Sequence, residues 1–389
     1  MSASQTSWLR VVSISDEIVT LGLVDIVSFG TIIYTGSVRH QIPRKPRQSR
    51  FEAPSPAKRY FMSAPTVLGI TLGDPAGVGI EVTLKALSAL DQRSGSRLLL
   101  IGEASTVLAQ RHFAAEGTEI HVVAAIGECR WERGVINVMD MGVMTEPAIP
   151  GKLSAQAGEA AFLAVVRGIE LALAGNIAGI VTGPLNKQAM HQAGHIFDGH
   201  TEILGHYCGR RPTYMLLSSK RLNIIHVSTH CSLREACDRA KKQRILDTIR
   251  AMDNHLKKMG AGRRKIGVAG LNPHAGENGL FGNEEISEII PAINAAQGEN
   301  IDAEGPVPPD TLYLKAFQGN YDAVVAMYHD QGHIPQKLVA FDEAVNITLG
   351  LPIIRTSVDH GTAFDIAGKG VGNPANMSSA IEYAGKMVS

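Results

Sequence analysis

The chain has 389 residues, room for about two domains and a large buried core. Its 37 basic and 37 acidic side chains balance, which argues against a nucleic-acid-binding surface. The balance is uneven, however. Residues 37–59 carry seven Lys or Arg, four Pro and a single acid, Glu52. Without residues 1–61 the chain holds 29 basic and 33 acidic residues, a net charge of −4.

The first 61 residues differ from the rest. The segment 18–34 is apolar, but Asp25 interrupts it and it falls short of the roughly 20 residues a membrane span needs. No clean cleavage site follows it, so it is a poor secretory signal. The Pro- and Arg-rich stretch after it cannot bury a face and is expected to be disordered. Residues 1–61 are therefore read as an extension without a catalytic role, with a tidy start at Met62. A targeting or regulatory arm is the alternative. No membrane partner is expected. Cys129, Cys208, Cys231 and Cys237 form no Cys-x-x-Cys pair, which suits a reduced cytoplasmic enzyme.

From residue 67 the pattern alternates. A strand at 67–72 runs into Gly73-Asp74-Pro75-Ala76-Gly77-Val78-Gly79 and a helix at 81–90. This turn lacks both the Walker lysine and the full Gly-x-Gly-x-x-Gly, and Pro75 removes an amide donor, so it reads as a structural strand-to-helix turn rather than a phosphate cradle. A strand follows at 98–101, then a helix at 157–174 with Phe162, Val165, Val166, Ile169 and Leu173 at helical spacing. The strand 177–181 ends in Thr182-Gly183-Pro184-Leu185-Asn186-Lys187. Gly199-His200-Thr201-Glu202 reads as a helix start with Thr201 as N-cap, whose free amides favour an anion. Strands at 215–217 and 222–227, a helix at 241–259, a strand at 266–271, a helix at 284–295 and a strand at 323–327 complete the alternation. The chain is thus α/β, with a mainly parallel sheet covered by helices.

Three histidines fall at predicted strand ends: His230, His274 in Asn272-Pro273-His274-Ala275-Gly276-Glu277, and His329 in Tyr328-His329-Asp330-Gln331-Gly332. Strand ends are where an open α/β sheet collects ligands, and three neutral imidazoles with an open position hold catalytic metals. Their spacings of 44 and 55 residues match no local motif, so three unrelated loop histidines are an equal alternative on spacing alone. Further on, Lys337, Asn346 and Arg355 interrupt apolar runs. Such groups need a partner, either an internal ion pair or a bound phosphate or carboxylate that Arg grips with two donors. The polar, Gly-rich run from Thr356 to Gly370 has the look of a cleft lining.

Together these motifs, with Asn346-Ile347-Thr348-Leu349-Gly350-Leu351-Pro352, resemble the 4-hydroxythreonine-4-phosphate dehydrogenase family of pyridoxal phosphate biosynthesis. The resemblance runs from about residue 67 to the end. The wording of 73–77 and 276–282 is closer to a second branch, the dehydrogenases of 4-phospho-threonate and 4-phospho-erythronate. It implies a two-domain α/β/α fold like that of isocitrate and isopropylmalate dehydrogenases, with one domain formed by 62–190 plus 338–389 and the other by 191–337. It also implies a homodimer with a shared active site. One divalent metal (Zn, Mg, Co or similar) would be held by His230, His274 and His329, one of them given across the dimer interface. His200, Thr201, Lys337, Asn346 and Arg355 would hold a small phosphorylated hydroxy acid. His360, Gly361, Thr362 and Asp365 would hold NAD or NADP, in the absence of a Rossmann motif. Asp310 and Lys187 are the candidate catalytic bases. The implied reaction is NAD-dependent oxidation with decarboxylation, of 4-phosphohydroxy-L-threonine to 3-amino-2-oxopropyl phosphate or, alternatively, of 4-phospho-D-threonate or erythronate to dihydroxyacetone phosphate. A metal-dependent hydrolase on the same histidines is a remote alternative.

Overall fold

Strands buried on both faces of a parallel sheet are near-continuous apolar runs, and Val-Leu-Gly-Ile-Thr at the first strand is one, with Leu68 and Ile70 wholly buried. Each such side chain contributes about 1.5–3 kcal/mol. The computed structural model describes residues 66–90, 96–209 and 211–389. The reading of residues 1–61 lies outside the described residues.

The strands among these residues are β1 Val67–Thr71, β2 Arg97–Gly102, β3 Glu119–Val123, β4 Val135–Asp140, β5 Gly179–Thr182, β6 Tyr214–Ser218, β7 Asn223–His226, β8 Ile266–Ala269, β9 Ala303–Val307, β10 Ala323–Ala326, β11 Val345–Leu349 and β12 Ile354–Ser357. The helices are α1 Gly79–Ala89, α2 Ala104–Ala109, α3 Ala155–Leu173, α4 Lys187–Gln192, α5 His200–Tyr207, α6 Leu233–Arg239, α7 Lys242–Lys258, α8 Ile290–Gly298, α9 Pro309–Phe317, α10 His329–Ala340 and α11 Ala375–Val388. All twelve strands join one sheet in the order β3-β4-β2-β1-β5-β12-β11-β6-β7-β10-β8-β9.

The sheet has two parallel blocks. One runs from β3 to β12 and the other from β7 to β9. Between them β12, β11, β6 and β7 pair antiparallel at each step. Three reversals make the two blocks run in opposite directions. The alternation in the sequence predicts a mainly parallel sheet but not two opposed blocks, because the middle strands β11 and β6 are each distant in sequence from one of their neighbours.

The long helices form where expected. α3 is capped by Ser154, whose hydroxyl accepts from Ala157 N, and it buries Phe162, Val165 and Ile169. α7 buries Ile245, Ile249, Met252 and Leu256. Two local expectations fail. Thr201 is not an N-cap: α5 begins at His200 with Gly199 before it. His329 does not end a strand. It is the first residue of α10, three residues beyond the end of β10. The Gly73 turn is a packing device. Gly73 adopts a φ of 74°, and a Cβ there would lie 2.2 Å from the Pro184 carbonyl oxygen. Val78 N donates to Thr362 O at 2.9 Å, which ties the turn to the C-terminal segment.

Candidate active site

Arg355 rises from the middle of β12 and is only 4% exposed. Its Nε and Nη2 donate to Thr182 Oγ1 at 3.2 and 2.8 Å, and its Nη1 donates to Thr348 Oγ1 at 2.9 Å. No carboxylate among the described residues pairs with it, so the internal ion pair, one of the two partners weighed from the sequence, is absent there. Burial pushes its pKa down to about 9, leaving it cationic at neutral pH. Of the five N–H donors of a guanidinium, three are used here, and one on each terminal nitrogen stays free. That is the geometry of an unfilled bidentate grip on an oxyanion.

Beside it lies a cavity of about 160 Å³, lined by Arg355, His200, Lys187, Thr182, Ser357 and His360, among others. His200 is held neutral by burial and by the Arg355 charge, and its buried Nε2 has no partner. His360 donates from Nδ1 to Gly361 O, and its buried Nε2 is also unpaired. Asn346 Oδ1 is buried without a donor. Orphaned polar atoms cost about 1–3 kcal/mol each unless something supplies the missing bond. Thr201 lines a smaller adjoining cavity of about 30 Å³ with Thr348, Arg244 and His226. Lys337, on α10, is tied to Asp359 Oδ2 at 3.4 Å. Burial raises the Asp359 pKa, against the lowering pull of Lys337.

The three candidate ligand histidines separate. The rings of His230 and His329 have centroids 5.8 Å apart. His230 is exposed, and desolvation and then His329 lower its pKa, so it stands as a neutral donor. His329 donates from Nδ1 to Asp330 Oδ1 at 2.6 Å, which leaves Nε2 as its lone-pair nitrogen. A carboxylate behind an imidazole is the usual support of a metal-ligating histidine. His274 is not in this pair. Among the described residues of one chain, no three His, Cys, Asp or Glu side chains gather at metal-holding distance.

His274 is exposed on a short run of left-handed backbone, with φ of 51°, 56°, 80°, 42° and 55° from His274 to Asn278. Four of the five are not Gly, and such residues cost on the order of 1–2 kcal/mol each. The buried Glu285 carboxylate holds the preceding segment: Oε1 accepts from Leu271 N and Asn272 N, and Oε2 from Asn272 Nδ2. Strain maintained by dedicated clamps marks functional loops.

Other predicted residues are spread out. Asp310 is exposed in the first turn of α9 and lines neither cavity. Gly361 lines the larger cavity, Thr362 meets the Gly73 turn, and Asp365 is exposed. Asp330, Glu285, Thr182 and Thr348 went unrecognised in the sequence. Asp330 was the most findable, as a carboxylate directly after a candidate ligand.

The family described as pyridoxal phosphate biosynthetic protein PdxA matches residues 95–384. The chain belongs to the PdxA family. D-threonate 4-phosphate dehydrogenase of Salmonella typhimurium is 47% identical over 322 residues, covering 82% of this chain and 97% of that protein. The enzyme of the same name from Cupriavidus necator is 43% identical, also over 322 residues, with 82% and 97% covered. The crystal structure of 4-hydroxythreonine-4-phosphate dehydrogenase from Klebsiella pneumoniae superposes with a TM-score of 0.75 at 43% identity, covering 83% of this chain and 98% of that one.

Membership in the PdxA family makes this chain a dehydrogenase acting on a CH–OH group and sets the hydrolase alternative aside. It also agrees with the α/β architecture read from the sequence. No helix among the described residues is long and apolar enough to cross a membrane.

Proposed function

We propose that the chain oxidises D-threonate 4-phosphate with NAD and a divalent metal, releasing carbon dioxide and dihydroxyacetone phosphate. The observation that carries this reading is Arg355, a buried guanidinium with two free donors and no carboxylate partner among the described residues. A phosphate dianion supplies the missing partner, and His200, beside it, offers its unpaired Nε2. From the sequence alone 4-phosphohydroxy-L-threonine came first. Two observations reverse that order. The similar curated relatives are named for D-threonate 4-phosphate. And no Asp or Glu lines the Arg355 cavity, so the ammonium that distinguishes the amino acid would lack a carboxylate there, whereas a hydroxyl needs none.

The residues fit a metal. His230 and His329 are adjacent, neutral at His230, and backed by Asp330 at His329. In this reading a second copy of the chain supplies the third imidazole, His274. An exposed apolar surface supports the homodimer: Leu280 and Phe281 beside His274, and Leu338 and Phe341 on or next to α10, are 70%, 47%, 80% and 69% exposed. The cleft would lie between 62–190 with 338–389 and 191–337. The four cysteines are free, as a reducing cytoplasm would leave them.

A metal held by His230 and His329, with His274 from a second copy of the chain, would supply Lewis-acid chemistry at the C3 oxygen and for the charge left by decarboxylation, and NAD would supply the hydride acceptor. Arg355 and His200 fix the phosphate end and so set where C3 lies. Lys187, in the same cavity, is the group placed to take the hydroxyl proton and return it to C2 after decarboxylation; Asp310 would have to arrive from the partner. In this reading His360 and Gly361, which line the same cavity, would border the dinucleotide.

The test is a substrate panel followed by nicotinamide reduction. D-threonate 4-phosphate, D-erythronate 4-phosphate and 4-phosphohydroxy-L-threonine are each supplied with NAD or NADP, with and without a chelator. D-threonate 4-phosphate with NAD should give the highest kcat/KM, and the product should be consumed by a dihydroxyacetone-phosphate reductase. A preference for the amino acid, or full activity in chelator, would sink the proposal.

A further inference from the structure

Behind the His230 and His329 pair stands a column of imidazoles that the proposed reaction does not use. His333, one turn along α10, stacks on His329 with centroids 3.6 Å apart and planes 11° from parallel. Its Nδ1 lies 3.0 Å from the His329 carbonyl oxygen. A carbonyl only accepts, so Nδ1 carries the proton and the ring orientation is fixed. His226, the last residue of β7, lies behind His333 at 4.8 Å. It is wholly buried and donates from Nδ1 to Met215 O at 3.2 Å. α10 passes so close that a Cβ on Gly332 would be 2.3 Å from His226 Nε2. Two neighbouring strands and a glycine are thus arranged to seat an imidazole under His333.

Ordinary core packing does not explain the choice of residue. An aliphatic side chain would fill the same volume without burying polar nitrogens, and His226 Nε2 is left without a partner. What remains is geometry. A flat, rigid ring in parallel contact sets the plane of the ring it touches. Asp330 fixes one nitrogen of His329, but a single hydrogen bond leaves rotation about that contact free.

We propose that His333 is a positioning residue that holds the His329 ring plane in the orientation needed for metal ligation, with His226 as its buried support. This rests on the metal reading above.

The test uses the full-length dimer, Co²⁺ alone as probe, and two substitutions of similar bulk. His333→Leu fills the space without a flat ring, and His333→Phe restores the stacking surface without nitrogens. Co²⁺ affinity is measured by competition with a chelating dye, and ligand geometry from the visible ligand-field bands. His333→Leu should weaken Co²⁺ binding by roughly 10- to 100-fold, the range found when a ligand's outer support is removed, and should alter the bands. His333→Phe should recover most of the affinity and the wild-type spectrum. Wild-type affinity and spectrum in a folded His333→Leu protein would overturn the proposal, as would a His333→Phe protein no better than His333→Leu. His230→Ala serves as the control. If wild type and His230→Ala bind Co²⁺ equally, the metal reading itself falls and this proposal with it; if only His230→Ala loses the metal, the positioning role alone is refuted.

Discussion

Replacing Arg355 by Met separates two roles that an ordinary structural arginine would combine. In the folded protein the charge is buried among hydroxyls, and its pKa falls from 12.5 to about 9. At 1.36 kcal/mol for each pKa unit, that corresponds to about 5 kcal/mol at most of unfavourable burial. Met removes the charge and keeps much of the stem. Replacing even paired buried charges with apolar groups of similar volume is often neutral or stabilising by about 1–4 kcal/mol, and Thr182 and Thr348 lose only donors they can replace by turning. The free protein should therefore be as stable as wild type or more so. Substrate binding should collapse. Two charge-assisted hydrogen bonds at about 1.5–3 kcal/mol each make about 3–6 kcal/mol, or roughly a 10²- to 10⁴-fold loss in kcat/KM. Urea denaturation without substrate and initial rates of nicotinamide reduction measure the two sides. Inorganic phosphate should protect wild type against unfolding and leave the Met variant unchanged. A destabilised Met variant with near-normal kcat/KM would show that Arg355 serves the fold and refute the anion-site argument.

Three further outcomes follow from the site. Arg355→Lys should raise KM strongly, because a point charge replaces a two-donor fork, with metal content unchanged; an unaltered KM would count against the bidentate grip. If His274 serves the neighbouring subunit, His274→Ala and Arg355→Met homodimers should each be inactive, yet refolding them together should restore about a quarter of wild-type activity, since half the dimers are mixed and one site in each is whole; no recovery would place His274 in its own subunit's site or outside catalysis. Asp74 is buried with Oδ2 unpaired, and burial raises its pKa from 3.8 to about 6. The folded state therefore holds this proton more tightly than the unfolded chain. Its contribution is complete below about pH 3.8 and falls away by about 3 kcal/mol as pH rises to about 6. Asp74→Asn should remove that part of the slope and gain stability at pH 7 relative to pH 4; parallel stability–pH curves would show the carboxyl to be solvated.

The elements that depend on local pattern were readable in the chain. α3 and α7 follow from apolar side chains at helical spacing, and β1 from a continuous apolar run, because these depend on residues within a few positions of one another. Arg355 and Asn346, polar residues inside apolar runs, do carry buried polar groups: the guanidinium is bonded to hydroxyls alone and Asn346 Oδ1 has no donor. The partners themselves were not readable. Thr182 lies 173 residues from Arg355 and meets it only because β12 inserts beside β5. Three histidines in equivalent sequence settings looked like one set. Yet β10 lies directly between β7 and β8, and it is the left-handed segment after β8, clamped by Glu285, that holds His274 apart from His230 and His329. The imidazole column of His226, His333 and His329 likewise exists only once α10 packs across β7. Periodicity and composition act along the chain and fix which segments become strands and helices. Which side chains share a site depends on strand order and on how closely backbones approach, and these are set by the packing of the whole sheet.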